Sequence, residues 1–143
     1  MGEGKKDKVK REFSAGGVVF KKKDGQTLWL LINPASSDVW QLPKGHIDGD
    51  ESSEKTAVRE VLEETSTEAK PIAKVDIMKY FFWKDGKRIL KSVTFYLMEY
   101  VNGGKKKPDM EIGEAGFYPY TKALKMLSFE SEKEILRKAS SLV

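Results

Sequence analysis

A chain of 143 residues, 39% hydrophobic and 34% charged, is of a size for one folded domain. With no cysteine, disulfides, thiolate metal sites and a nucleophilic thiol are excluded, and a single histidine, His46, excludes a two-histidine metal site within one chain. Seven Phe, five Tyr and three Trp argue against disorder, and the net charge of +4 gathers in lysine-rich clusters at residues 5–11, 21–23 and 105–107. Such clusters read either as solvated tails and turns or as an attraction for a polyanion. No apolar run reaches the length of a bilayer span, and the charged N-terminus has no apolar signal region, so a cytoplasmic protein without membrane contact is expected.

In chain order, residues 1–11 read as a flexible basic arm and residues 12–143 as a single domain. Phe13 to Phe20 (FSAGGVVF) is β-prone, KKKDGQ is a turn, and Thr27 to Ile32 is the returning strand. After the NPASSD loop, Val39 to Pro43 is a short extended piece that Pro43 ends, and KGHIDGDE is a loop. A helix runs from about Ser52 or Ser53 to Thr65, capped by one of those serines. Pro71 opens a long strand to Trp83, KDGK turns it, and Arg88 to Val101 returns. NGGKKKPD is a loop, Ala115 to Tyr120 a further strand, and the tail carries apolar residues at helical spacing, from Ala123 to Ala139. The order predicts an α/β (α+β) architecture: a mixed, partly antiparallel sheet between helices.

The helix poses the central problem. Ala57, Val58, Val61, Leu62 and Thr65 form its apolar arc, and Glu60, Glu63 and Glu64 crowd an adjacent arc near its end. Like charges at these spacings repel. Carboxylates beside buried surface raise each other's pKa or recruit a cation. Backbone carbonyls near Gly45 add oxygen donors, and an all-oxygen set suits Mg²⁺ or Mn²⁺.

Gly45, five residues, Glu51, seven residues, Arg59-Glu60-Val61, one residue, Glu63-Glu64 resembles the Nudix box. The resemblance implies a Nudix-type α/β/α sandwich. It also implies metal-dependent hydrolysis of a nucleoside diphosphate linked to another group, by water attack on phosphorus. By position, Glu60, Glu63, Glu64 and the Gly45 carbonyl would ligate Mg²⁺ or Mn²⁺, with more than one ion when substrate is bound. Glu51 and Arg59 would brace the loop on the helix. The family's general base varies: Glu60 or Glu64 within the box, or Glu111 in DMEIGEAGFYP with Glu114 next. Ser66 stands where the family places a helix-ending glycine.

Outside the box, WQLPKGH, KRILKSVTFYLMEY and EAGFYPYTKALKML are similar to the asymmetric dinucleoside tetraphosphate hydrolase branch, which splits diadenosine tetraphosphate into ATP and AMP. That likeness implies phosphate contacts by Lys44 and Lys91, and His46 reads as a loop-anchoring or phosphate-contacting residue. In KYFFW, one aromatic pair is expected in the core and the other, Tyr80 with Phe82, as a stacking platform for adenine. The alternatives are a nucleoside triphosphate or nucleotide-sugar pyrophosphatase, a remover of pyrophosphate from RNA 5′ ends, or a non-catalytic nucleotide- or RNA-binding module. The expected partner is a small nucleotide, with nucleic acid less favoured, for a monomer or homodimer.

Overall fold

The computed structural model describes residues 9–35, 37–104 and 112–143. Two tight turns set the sheet. Asp24-Gly25 and Asp85-Gly86 each hold two consecutive residues at positive φ, 51° and 79° in the first and 52° and 73° in the second. Such turns match the twist of the strands they join. They connect β1 (Lys10–Lys23) to β2 (Gln26–Pro34) and β4 (Thr67–Lys84) to β5 (Lys87–Gly103). The sheet runs β4-β5-β1-β2-β6, with β6 at Ile112–Pro119 and β3 (Lys44–His46) paired to β1 beside this path. β1 lies parallel to β5 and antiparallel to β2 and β3. The sheet is therefore mixed, and helices flank it.

Alternation along β1 divides the core. Ala15 and Val19 face α1 (Ser53–Thr65), where Leu30, Ala57, Val61 and Met98 pack. Val18 and Phe20 face the opposite side, where Trp29, Leu42, Phe95 and Leu136 pack beneath α2 (Tyr120–Met126) and α3 (Glu130–Ser140).

Several boundaries differ from the sequence reading. β1 begins at Lys10, so Lys10 and Arg11 pair with Ile89 and Leu90 instead of belonging to the arm; residues 1–8 lie outside the described residues. The chain does not turn to loop at Pro43: the Pro43 carbonyl accepts from Gly17 N, and the next three residues continue along β1 as β3. β4 starts before Pro71. As the outer strand of the sheet it has an open side for a residue with no N–H, and its register shifts between Pro71 and Ala73. The tail forms two helices because Ser128 leaves the helical path to pair with Trp40: its N–H donates to the Trp40 carbonyl and its hydroxyl accepts from the Trp40 N–H, both at 3.0 Å.

On α1 the buried arc is rotated from expectation. Thr56 is buried and Leu62 is 50% exposed, which turns Glu60 and Glu64 toward the sheet. Neither aromatic pair of KYFFW is core, since Met78 is the buried residue in this part of β4. Tyr80 and Phe82 share the α3 face, with ring centroids 6.2 Å apart.

The Ser52 hydroxyl caps α1 by accepting from Lys55 N at 3.1 Å. At the other end Ser66 is left-handed (φ 54°), its N–H on the Leu62 carbonyl at 2.8 Å. Side chains with a Cβ hold that conformation at a cost. Ser66→Gly therefore raises unfolding free energy by about 0.5–1 kcal/mol, the relief of left-handed strain exceeding glycine's added unfolded-state entropy. A urea melt at neutral pH measures it, and an unchanged or lowered midpoint contradicts it.

Candidate functional site

Arg59 ties three segments together. Its Nε and Nη2 donate to the two oxygens of Glu51 at 2.8 and 2.9 Å, a bidentate pair. Nη2 also donates to the His46 carbonyl at 3.0 Å, and Nη1 is shared by Glu60 at 2.8 Å and Glu63 at 3.2 Å. The Thr56 hydroxyl donates to Glu51 at 2.7 Å. Together the Arg59 guanidinium and then Thr56 hold the Glu51 carboxyl down at about 2. The same pairing, with Glu51 first, binds the Arg59 proton more tightly.

The box carboxylates occupy different environments. Glu60 lies against Gly45 so closely that a Cβ at Gly45 would collide with its carboxyl group. Burial raises its pKa, and Arg59 opposes the rise. Glu64 accepts from Lys44 N at 3.0 Å. Burial, and then the neighbouring Glu60, push it up to about 7. Glu63 is more exposed and holds Arg59. Glu63 and Glu64 also stand in the last turn of α1, which carries no basic residue, so they oppose the helix dipole.

Antiparallel alternation fixes the carbonyls of β3. Gly17 N bonds to Pro43 O and Ile47 N to Phe13 O. The pair between them, Ala15 and Gly45, is then also hydrogen-bonded, which turns the Gly45 carbonyl toward β1 and those of Lys44 and His46 outward. Among the described residues, no three carboxylate or imidazole groups are gathered closely enough to hold an ion in this arrangement, and Arg59 stands between Glu60 and Glu63. The donor chemistry nevertheless fits a hard divalent cation. It consists of oxygens only, it includes two carboxylates whose charge burial opposes, and its glycine leaves the carboxylate room against the strand.

Lys44 joins this side of the sheet to the other. While its N–H holds Glu64, its ammonium lies 3.3 Å from Glu132. Glu132, 1% exposed, also accepts from Leu42 N at 2.7 Å. These groups line a cavity of about 350 Å³ with Gln41, Met78, Tyr80 and Phe129. Lys91 pairs across the ladder with Tyr80, and burial lowers its pKa, reinforced by Lys44. His46 presents an exposed side chain; its carbonyl does the structural work. Glu111 lies outside the described residues, and Glu114 stands in β6 opposite Asn33.

Glu132 and Thr56 were missed by sequence reasoning. The signal for Glu132 was there: it falls on the buried stripe of α3 with Ile135, Leu136 and Ala139, where a charged residue needs a partner. Thr56 gives no such signal, because its role appears only once loop and helix meet.

The NUDIX domain family model matches residues 10–139. The chain belongs to the Nudix family. It is 34% identical over 138 residues to "Putative mutator protein MutT4" of Mycobacterium tuberculosis (strain CDC 1551 / Oshkosh), covering 92% of this chain and 56% of that protein. It is 30% identical over 93 residues to the asymmetrical bis(5′-nucleosyl)-tetraphosphatase of Mus musculus, covering 60% of this chain and 63% of that one. The chain thus spans less than two thirds of the length of these relatives. A solved C. elegans Ap4A hydrolase binary complex has the same fold, with TM-score 0.69 at 22% identity over 92% of this chain and 96% of that one. Nudix hydrolases as a family generally use divalent metals such as Mg²⁺. Among the described residues, no helix is long and apolar enough to cross a membrane.

The Nudix brace generates a pH prediction. Glu51 has a folded pKa of about 2 against an ordinary 4.5, so its stabilisation is full above 4.5 and is lost as pH falls toward 2. In urea melts, Glu51→Gln is less stable than wild type at neutral pH, and the gap narrows across that acid window. A gap that stays constant with pH contradicts the charged brace.

Proposed function

We propose that this chain hydrolyses a nucleoside diphosphate-linked substrate by water attack on phosphorus, and that the substrate is diadenosine tetraphosphate, split into ATP and AMP. The observation that carries the reading is the double role of Lys44. Its backbone N–H orients Glu64, and its ammonium edges the aromatic-walled cavity. A ligand that fills both places needs phosphates at one end and a planar base at the other. Similarity to the tetraphosphatase, and the WQLPKGH segment, support the dinucleotide.

The residues divide the work. Glu60, Glu63 and Glu64 are the donors for Mg²⁺ or Mn²⁺, joined by the outward carbonyl of Lys44 instead of the expected Gly45 carbonyl, which faces β1. Bound there, such ions would neutralise phosphate charge and acidify water. Glu64, oriented by the Lys44 N–H, is the candidate to take the proton from the attacking water. Arg59 and Glu51 fix the loop. Lys44 and Lys91 carry positive charge to the phosphates, and Tyr80 at the cavity wall, with Phe82 beside it, offers a stacking surface.

The test is product analysis in isotopically labelled water with Mg²⁺ over a nucleotide panel. Diadenosine tetraphosphate should give ATP and AMP with label in one product. Glu64→Gln should lower kcat by about 10²–10⁴-fold, and Tyr80→Ala should raise KM about tenfold by losing a stacking contact. The dinucleotide assignment fails if that substrate is untouched while nucleoside triphosphates turn over. The hydrolase assignment fails if Glu63→Gln and Glu64→Gln both keep full activity across the panel.

A further inference from the structure

The β4–β5 hairpin carries aromatic residues on both faces, and only the α3 face borders the cavity. We propose that its other face, at the end of the sheet that α1 leaves uncovered, is a docking platform for single-stranded nucleic acid. The register builds the platform row by row. Arg11, Leu90 and Phe81 align in one row, and Phe13, Ser92 and Lys79 in the next. Trp83 and Arg88 close the outer edge. By alternation these side chains share the face of Ala15, the face on which α1 packs farther along β1.

Three rings on this face lie open to solvent: Phe13 is 54% exposed, Phe81 50% and Trp83 72%. An apolar patch of this kind marks an interaction surface. Arg11, Lys79 and Arg88, all exposed, stand between the rings, and the Arg88 guanidinium lies 4.0 Å from the Phe81 centroid. Phe81 and Trp83 are same-face neighbours on one strand, about 7 Å apart, so two unstacked bases can each take a ring. Aromatic stacking with cations that track phosphates is how single strands are held without sequence preference. The surface is a flat sheet face, so a lone mononucleotide would stay largely solvated on it, whereas a chain of nucleotides engages several rings and cations at once.

Charge selects the occupant. No carboxylate stands on these rows among the described residues, and the nearest acid of the hairpin, Asp85, sits in its turn between Lys84 and Lys87. A second copy related by a two-fold axis would set Arg11, Lys79 and Arg88 against their own kind; a polyanion would not. This inference does not rest on the proposed hydrolysis: Lys79 also borders the cavity, but none of these residues has a part in the proposed chemistry.

Fluorescence anisotropy with labelled oligouridylate and oligothymidylate tests it on the whole chain. Both should bind more tightly than a duplex of equal length, because only open bases can stack, and tighter binding of the oligouridylate identifies RNA as the preferred form. A fourfold rise in salt should weaken binding about twentyfold for roughly three phosphates neutralised. Trp83→Ala and Phe81→Ala should each weaken it at least about fivefold. Arg88→Gln should weaken it and flatten the salt dependence. Glu64→Gln should bind as wild type, and Trp83→Ala should keep wild-type turnover of whichever nucleotide the chain hydrolyses. Equal affinity for duplex and single strand overturns the proposal, as does binding that none of the three platform variants changes. So does sedimentation showing a wild-type dimer that Trp83→Ala converts to monomer, which would assign the patch to a second copy.

Discussion

Everything at the site depends on one guanidinium. Arg59 spends its donors on Glu51 in the loop, on the His46 carbonyl at the end of β3, and on Glu60 and Glu63 along its own helix. Thr56 on Glu51 and the Lys44 N–H on Glu64 each join two of these segments, but Arg59 joins all three. A planar fork of fixed geometry can satisfy three of them at once, which a lysine's point charge cannot. Once that fork is set, Glu60 must lie on Gly45, and Lys44 must present its N–H to Glu64.

The cost of this arrangement falls on the carboxylates. Burial disfavours their charge at Glu60 and Glu64, and the helix end disfavours acids in its last turn. Local stability and the chemistry of the site therefore pull in opposite directions, a conflict expected where sequence serves function. Lys44 answers with positive charge and carries the strain through the sheet to buried Glu132. Lys44 thus touches both faces, through its N–H on Glu64 and its ammonium on Glu132.

The acid helix was legible because helical periodicity and box spacing are local properties of the string. So were the Asp-Gly turns, whose residue types dictate their backbone. What stayed hidden depended on pairing between distant segments. β3 is three residues of a glycine-containing loop that become a strand only because β1 lies beside them. The break between α2 and α3 comes from Ser128 meeting Trp40. Leu62 looked like a core residue by spacing, but the sheet meets α1 on the Thr56 side instead. The aromatics of KYFFW were readable as two alternating pairs, whereas their exposure was not, because nothing in the string says where α1 stops covering the sheet.

The parallel pairing of β1 with β5 has a consequence for folding. It joins Lys10 to Ile89, segments about eighty residues apart in the chain. Pairings of such long range close slowly, after local structure has formed. The helix with Arg59, its loop and the two Asp-Gly hairpins can all form early from neighbouring residues. The floor beneath them cannot, and Glu132 reaches Leu42 and Lys44 only after α3 has docked on that floor. The acidic helix is local in sequence, whereas the surroundings that raise the pKa of its glutamates are not. Their raised pKa values come first from burial, so they belong to the assembled fold and not to the helix by itself.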